Sequence, residues 1–91
     1  MGDKKMKKFS YTVQDATGIH ARPAGLLVKA AKVLDSTVAL ENAAGKSAVA
    51  TKLMAVMGLG IKQGDTVTVT VEGGDEEASI AAMEKFFSEN L

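Results

Sequence analysis

A two-layer α/β (α+β) sandwich, one sheet with helices over one of its faces, is the fold predicted by three observations. The apolar residues switch period repeatedly, alternating in some segments and recurring every three to four residues in others. Two alternating segments flank Asn42-Ala43-Ala44-Gly45, which reads as a hairpin loop. Strand–helix–strand connections surround that hairpin, and such an order buries one sheet face under helices. The Ser, Thr and Lys positions of the strands are then left in solvent. With 91 residues the chain makes one domain with a single modest core.

The elements follow in order. Phe9, Tyr11 and Val13 alternate with Ser10, Thr12 and Gln14, as in a strand with one buried face. Asp15-Ala16-Thr17-Gly18 supplies turn chemistry. From Ala21 the pattern is helical: Leu27, Ala30, Ala31 and Leu34 share a face, and Lys29 and Lys32 lie largely away from it. Pro23 fits the first turn, where its missing N–H costs little, and Asp35-Ser36 closes the segment. Val38 and Leu40 open a second alternation, which returns after the hairpin loop over residues 46–50. Leu53, Met54, Val56 and Met57 predict a short second helix ended by Gly58 and Gly60. After a turn at Gln63-Gly64-Asp65, Val67, Val69 and Val71 alternate with threonines in the clearest strand of the chain. Beyond Gly73-Gly74, Asp75 is an N-cap candidate and Glu76 and Glu77 suit the helix dipole. Ile80, Met83, Phe86 and Phe87 form the apolar stripe of a last helix. The order is β-α-β-β-α-β-α, without linker, repeat or low-complexity segment.

Composition narrows the function classes. Apolar residues make up 46% of the chain and charged residues 24%, a balance that argues against disorder. Eleven acids match eleven bases, whereas a general nucleic-acid binder is strongly basic. The absence of cysteine excludes a disulfide framework and a thiolate metal site, and fits a cytoplasmic protein. No apolar run approaches the roughly 20 residues that span a bilayer. Met1-Gly2-Asp3-Lys4-Lys5 lacks the apolar stretch of a signal peptide. We expect residues 1–5 to be a tail or cloning remnant and residues 6–91 to be the domain.

The densest chemistry lies in Gly18-Ile19-His20-Ala21-Arg22-Pro23-Ala24, which sets the only histidine at a helix entrance. Imidazole is substantially neutral, hence nucleophilic, near pH 7. A helix entrance offers unpaired N–H groups and the positive end of the dipole, a ready anion site. The same field disfavours the imidazolium and keeps the ring able to attack. A nucleophile, an anion pocket and the Arg22 guanidinium together suggest transient capture of a phosphoryl group.

Ile19-His20-Ala21-Arg22-Pro23-Ala24 resembles the active-site motif of the HPr family, histidine-containing phosphocarriers of the bacterial sugar phosphotransferase system. The similarity continues through Gly25-Leu26-Leu27-Val28-Lys29, Gly45-Lys46-Ser47, Leu53-Met54-Ala55-Val56-Met57-Gly58-Leu59-Gly60, Gln63-Gly64-Asp65 and Glu72-Gly73-Gly74-Asp75-Glu76-Glu77-Ala78. It covers almost everything from Met6 to Leu91, in order and at the right spacing. The resemblance implies an open-faced sandwich, four antiparallel strands in order 1-4-2-3 with three helices on one side. By the same analogy His20 accepts a phosphoryl group on Nδ1 from phosphorylated enzyme I and passes it to a histidine of a sugar-specific IIA component. Arg22 would steady the phosphate, with backbone amides of Ala21 and Arg22 holding its oxygens. Ala21, Pro23, Leu53, Met54 and Met57 would belong to the docking face, Leu53 and Met57 most strongly. The carrier would be a monomer and a stoichiometric relay, without metal, cofactor, nucleic acid or membrane insertion.

Each residue also has a blander reading. A lone histidine in a small domain is more often a surface or capping residue, and an arginine on a first turn is usually solvated. The residues around them, and the match along the chain, favour the phosphoryl role. Apolar residues at helical spacing usually face a core, but a short helix cannot bury all of its own. One departure stands out. Many Gram-positive phosphocarriers have a regulatory serine directly before the second helix, and that position here is Lys52. Lysine cannot form the phosphoester, so a regulatory kinase or transcription regulator is a doubtful partner; Thr51 and Ser47 do not match the position. A purely regulatory relative would not need His20. An RNA-binding sandwich would need aromatic residues for stacking, and here there are one tyrosine, three phenylalanines and no tryptophan.

Overall fold

A computed structural model of the chain describes residues 6–16, 18, 19 and 21–91. The strands are β1 (Met6–Thr12), β2 (Thr37–Glu41), β3 (Ser47–Val49) and β4 (Thr66–Glu72). The helices are α1 (Ala21–Lys32), α2 (Leu53–Met57) and α3 (Glu76–Asn90). The strands form one antiparallel sheet in the order β1-β4-β2-β3, so the last strand is inserted between the first two.

β4 takes the central position because its alternation is the strongest. Val67, Val69 and Val71 are fully buried, and the threonines between them lie toward the open face. In register, Phe9 and Leu40 flank Val69, Tyr11 lies opposite Val67, and Val38 opposite Val71. These rows meet Ala24, Leu27 and Ala31 of α1, Val56 of α2, and Met83 and Phe87 of α3 in one core. Phe87 is its largest fully buried side chain. Its ring meets Phe9, Tyr11 and Phe86 edge-on, with centroids 5.8, 5.5 and 6.0 Å away. Such contacts add about 0.5–1.5 kcal/mol each beyond area burial.

Several boundaries differ from the sequence reading. Val13 follows β1 rather than belonging to it, though it is buried. α1 ends at Lys32, and the Leu34 N–H closes a tight turn on the Ala31 carbonyl (3.1 Å). Leu34 reaches the core from that turn. β3 is confined to three residues of the expected five. Asp75 caps α3 as expected, its Oδ1 accepting from the Ala78 N–H at 3.2 Å. Glu76 does more than suit the dipole: it is buried, and its Oε2 accepts from the Gly73 N–H at 2.6 Å. The turn before α3 is also clasped to the one before β2. Ser36 Oγ donates to the Gly73 carbonyl (2.5 Å) and lies 2.9 Å from the buried Ser79 Oγ. Gly74, at φ +58°, packs directly on the Asp35 backbone, where any Cβ would clash.

Phe87→Ala removes the hub of the ring cluster and leaves a cavity. It is expected to destabilise the fold by about 3–5 kcal/mol, read from the urea midpoint at constant slope; a loss below about 1 kcal/mol would contradict this packing.

Candidate functional site

The described residues of the segment joining β1 to α1 belong to no helix or strand. Within it the Gly18 N–H donates to the Asp15 carbonyl at 3.0 Å. The rest is held from outside. The Val13 N–H donates to the Asp65 carbonyl and the Gly64 N–H to the Val13 carbonyl, both at 2.9 Å. The Leu91 carbonyl accepts from the Gln14 and Asp15 N–H groups at 2.5 and 2.8 Å. Gln63 Nε2 donates to the Gln14 carbonyl at 3.1 Å.

Closest to the candidate nucleophile, the Ile19 N–H donates to the Ile61 carbonyl at 3.0 Å, and Ile19 and Ile61 are both buried. This contact needs a glycine at 18. A Cβ there would lie 2.5 Å from the Ile61 oxygen and 2.7 Å from the Lys62 Cα, and the φ of +67° is one that L side chains rarely adopt. Gly18 therefore does more than turn the chain; it lets two loops touch backbone to backbone.

His20 lies outside the described residues, as do Thr17 and residues 1–5. α1 begins immediately after it, at Ala21. The first turn of a helix leaves its N–H groups without partners inside the helix. Pro23 has no N–H, so Ala21 and Arg22 are the early donors, and no acidic side chain stands in that turn to compete with an anion. Arg22 is exposed at this end. Pro23 is buried at the helix start.

α2 runs beside α1, and its five residues bury only Val56 completely. Leu53 is 39% exposed and Met54 78%, whereas Met57 is half-buried against the core. The outward apolar surface is therefore centred on Met54 and Leu53, and Met57 contributes less than its spacing suggests. Lys52 stands at the N-cap, exposed, with no side-chain bond capping the helix. The supporting carbonyls of Ile61, Asp65 and Leu91 were not legible in the sequence. Backbone groups carry no side-chain signal, and their partners are far away along the chain.

Among the described residues, no helix is long and apolar enough to cross a membrane, and no group of three or more His, Asp or Glu could hold a metal ion.

The comparisons with known proteins agree with this layout. A family model described as "PTS HPr component phosphorylation site" matches residues 7–89. The phosphocarrier protein HPr of Mycoplasma genitalium is 35% identical over 85 residues, 93% of this chain and 97% of that protein. A solved histidine-containing phosphocarrier protein of Mycoplasma has a TM-score of 0.85 at 31% identity, covering 91% of this chain and 93% of its own. An HPr dimer from Thermoanaerobacter tengcongensis has a TM-score of 0.71 at 35% identity, covering 87% and 90%. With fold and sequence matched over nearly its whole length, the chain belongs to the HPr family of phosphocarrier proteins of the phosphotransferase system.

Proposed function

We propose that His20 accepts a phosphoryl group from phosphorylated enzyme I and passes it to sugar-specific IIA components during phosphoenolpyruvate-dependent sugar uptake in the cytoplasm. The observation that carries this reading is the family match to a phosphorylation site, with α1 starting one residue after the only histidine. The Nδ1 lone pair attacks phosphorus as the bond from phosphorus to the donor histidine breaks. Arg22 and the amides of Ala21 and Arg22 hold the equatorial oxygens. A phosphoramidate is reactive enough to be handed on, which a serine phosphoester is not. The helix terminus adds only about 0.3–1 kcal/mol for an exposed charge, which suits a carrier that must release its cargo. In-line positioning, the main need of phosphoryl transfer, comes largely from the partner. The chain is then a relay consumed and regenerated in two transfers, not an enzyme in its own right.

Docking is assigned to Leu53 and Met54, with Met57 and Ala21 at the margin. The flexible methionine side chain suits a surface that meets several partners. Each transfer pairs one carrier with one partner, so we take the working form to be a monomer, although an HPr of T. tengcongensis is dimeric. Lys52 stands where the resemblance places a regulatory serine. It keeps the face basic, favours acidic partner surfaces, and offers no hydroxyl to a kinase.

Incubation with enzyme I and phosphoenolpyruvate, followed by mass and phosphorus NMR spectra, is expected to show an acid-labile adduct that disappears in His20→Ala. An unmodified protein in the presence of active enzyme I would overturn the proposal. For docking, Leu53→Ala and Met54→Ala should each raise KM for the carrier about three- to tenfold and leave kcat within about twofold. A fall in kcat at constant KM would reassign those residues. Lys52→Glu should weaken enzyme I binding at low salt by roughly two- to fivefold; unchanged affinity would remove Lys52 from the interface.

A further inference from the structure

α2 has little to hold it in place. Five residues are far below the length at which a helix is stable alone. Its N-cap makes no side-chain bond, and no charged residue lies in its first or last turn. Val56 and, less deeply, Met57 anchor it in the core with Leu59 just beyond the helix, and α1 lies along it. The β2–β3 hairpin adds hydrogen bonds at both ends of the helical unit. At the entrance the Lys52 N–H donates to the Val49 carbonyl at 3.0 Å. At the exit Asn42 Nδ2 donates to the Leu59 carbonyl at 3.0 Å.

Asn42 does this while holding its own loop. Its Oδ1 accepts from the Ala44 N–H at 3.0 Å and the Lys46 N–H at 2.9 Å. Its backbone N–H donates to the Lys46 carbonyl, and its carbonyl accepts from Gly45. A carboxamide offers an acceptor and a donor on one small planar group. Oδ1 closes the hairpin, and Nδ2 is left to reach across 17 residues of sequence. The sequence reads Asn42 only as a turn residue; the bond to Leu59 gives it a second task.

We infer that Asn42 is a positioning residue for partner docking: it fixes the tilt of α2 and so the presentation of Leu53 and Met54. This rests on the docking role proposed above for those two side chains. Asn42 touches neither the phosphoryl group nor the partner, and acts through Leu59 alone.

Asn42→Asp separates the two tasks. The retained oxygen still accepts from Ala44 and Lys46, while the second oxygen faces the Leu59 carbonyl and repels it. The neutral Asn42→Ala controls for the added charge. In enzyme I-dependent phosphorylation both variants should raise KM about three- to tenfold, the worth of one part-buried hydrogen bond, with kcat within about twofold. Amide exchange at Gly58, Leu59 and Gly60, which close on Met54, Val56 and Met57, should quicken by a similar factor. A raised KM without faster exchange at those amides overturns the inference. If Leu53→Ala raises KM and neither Asn42 variant does, the inference fails and the docking reading stands; if none of them raises KM, both fall. In the unmodified protein one Asn42 side-chain amide proton should exchange slowly, a reading that needs no variant; fast exchange of both overturns the tether.

Discussion

The backbone contact between Ile19 and Ile61 is the constraint on which the site depends. The segment between β1 and α1 is anchored largely by bonds to distant parts of the chain. Its end at Ile19 is held by an amide–carbonyl bond to the loop behind α2, and that bond forms only because residue 18 has no Cβ. An amide–carbonyl bond is worth about 0.5–1.5 kcal/mol net, which is small, but its direction is well defined. Two further grips, on Asp65 and on Leu91, limit how far the segment can rotate about it. The proposed phosphoryl site thus rests on contacts between loops, with the sheet as the scaffold behind them.

The sheet contributes rigidity and, through its topology, closeness. Insertion of β4 between β1 and β2 draws the loop after α2 back beside the end of β1, since Thr66 pairs with Thr12. Without that crossing, Val13 and Asp65 would not be neighbours. The same one-sided layering explains why α2 exposes apolar side chains. α3 packs on β1 and β4, and the five-residue α2 buries only Val56 completely, with Met57 half-buried beside it. What a packing argument counts as a deficit is the apolar surface proposed above for docking. The half-buried Met57 marks where the core stops and that surface begins.

Electrostatics here are modest, as a relay requires. The first turn of α1 holds no acid, and Arg22 is exposed there. Lys52 places a cation at the start of α2, mildly unfavourable for that helix. The hairpin bonds from Val49 and Asn42 offset the cost by holding α2 from both ends. A weak helix kept in place by its neighbours can present Met54 and Leu53 without being buried itself.

The sequence by itself determined the element types, their order and the composition of the core. Period two and period 3.6 are imposed by strand and helix geometry; Val67, Val69 and Val71 or Met83 and Phe87 could hardly be read otherwise. It also placed the only histidine, an arginine and a proline at one helix entrance, because turn residues and a helical pattern are local signals. Local signals fail where a neighbour from elsewhere decides. α1 stopped before Leu34 because that side chain reaches the core better from a turn. Pro23 was buried by packing that no local pattern reports, and Met54, not Met57, came to face solvent. Only the tertiary structure decided what holds the site. The distant partners of Gly18, Ile19 and Asn42 are backbone atoms of Ile61, Lys62 and Leu59, far along the chain, and a backbone group has the same identity at every position.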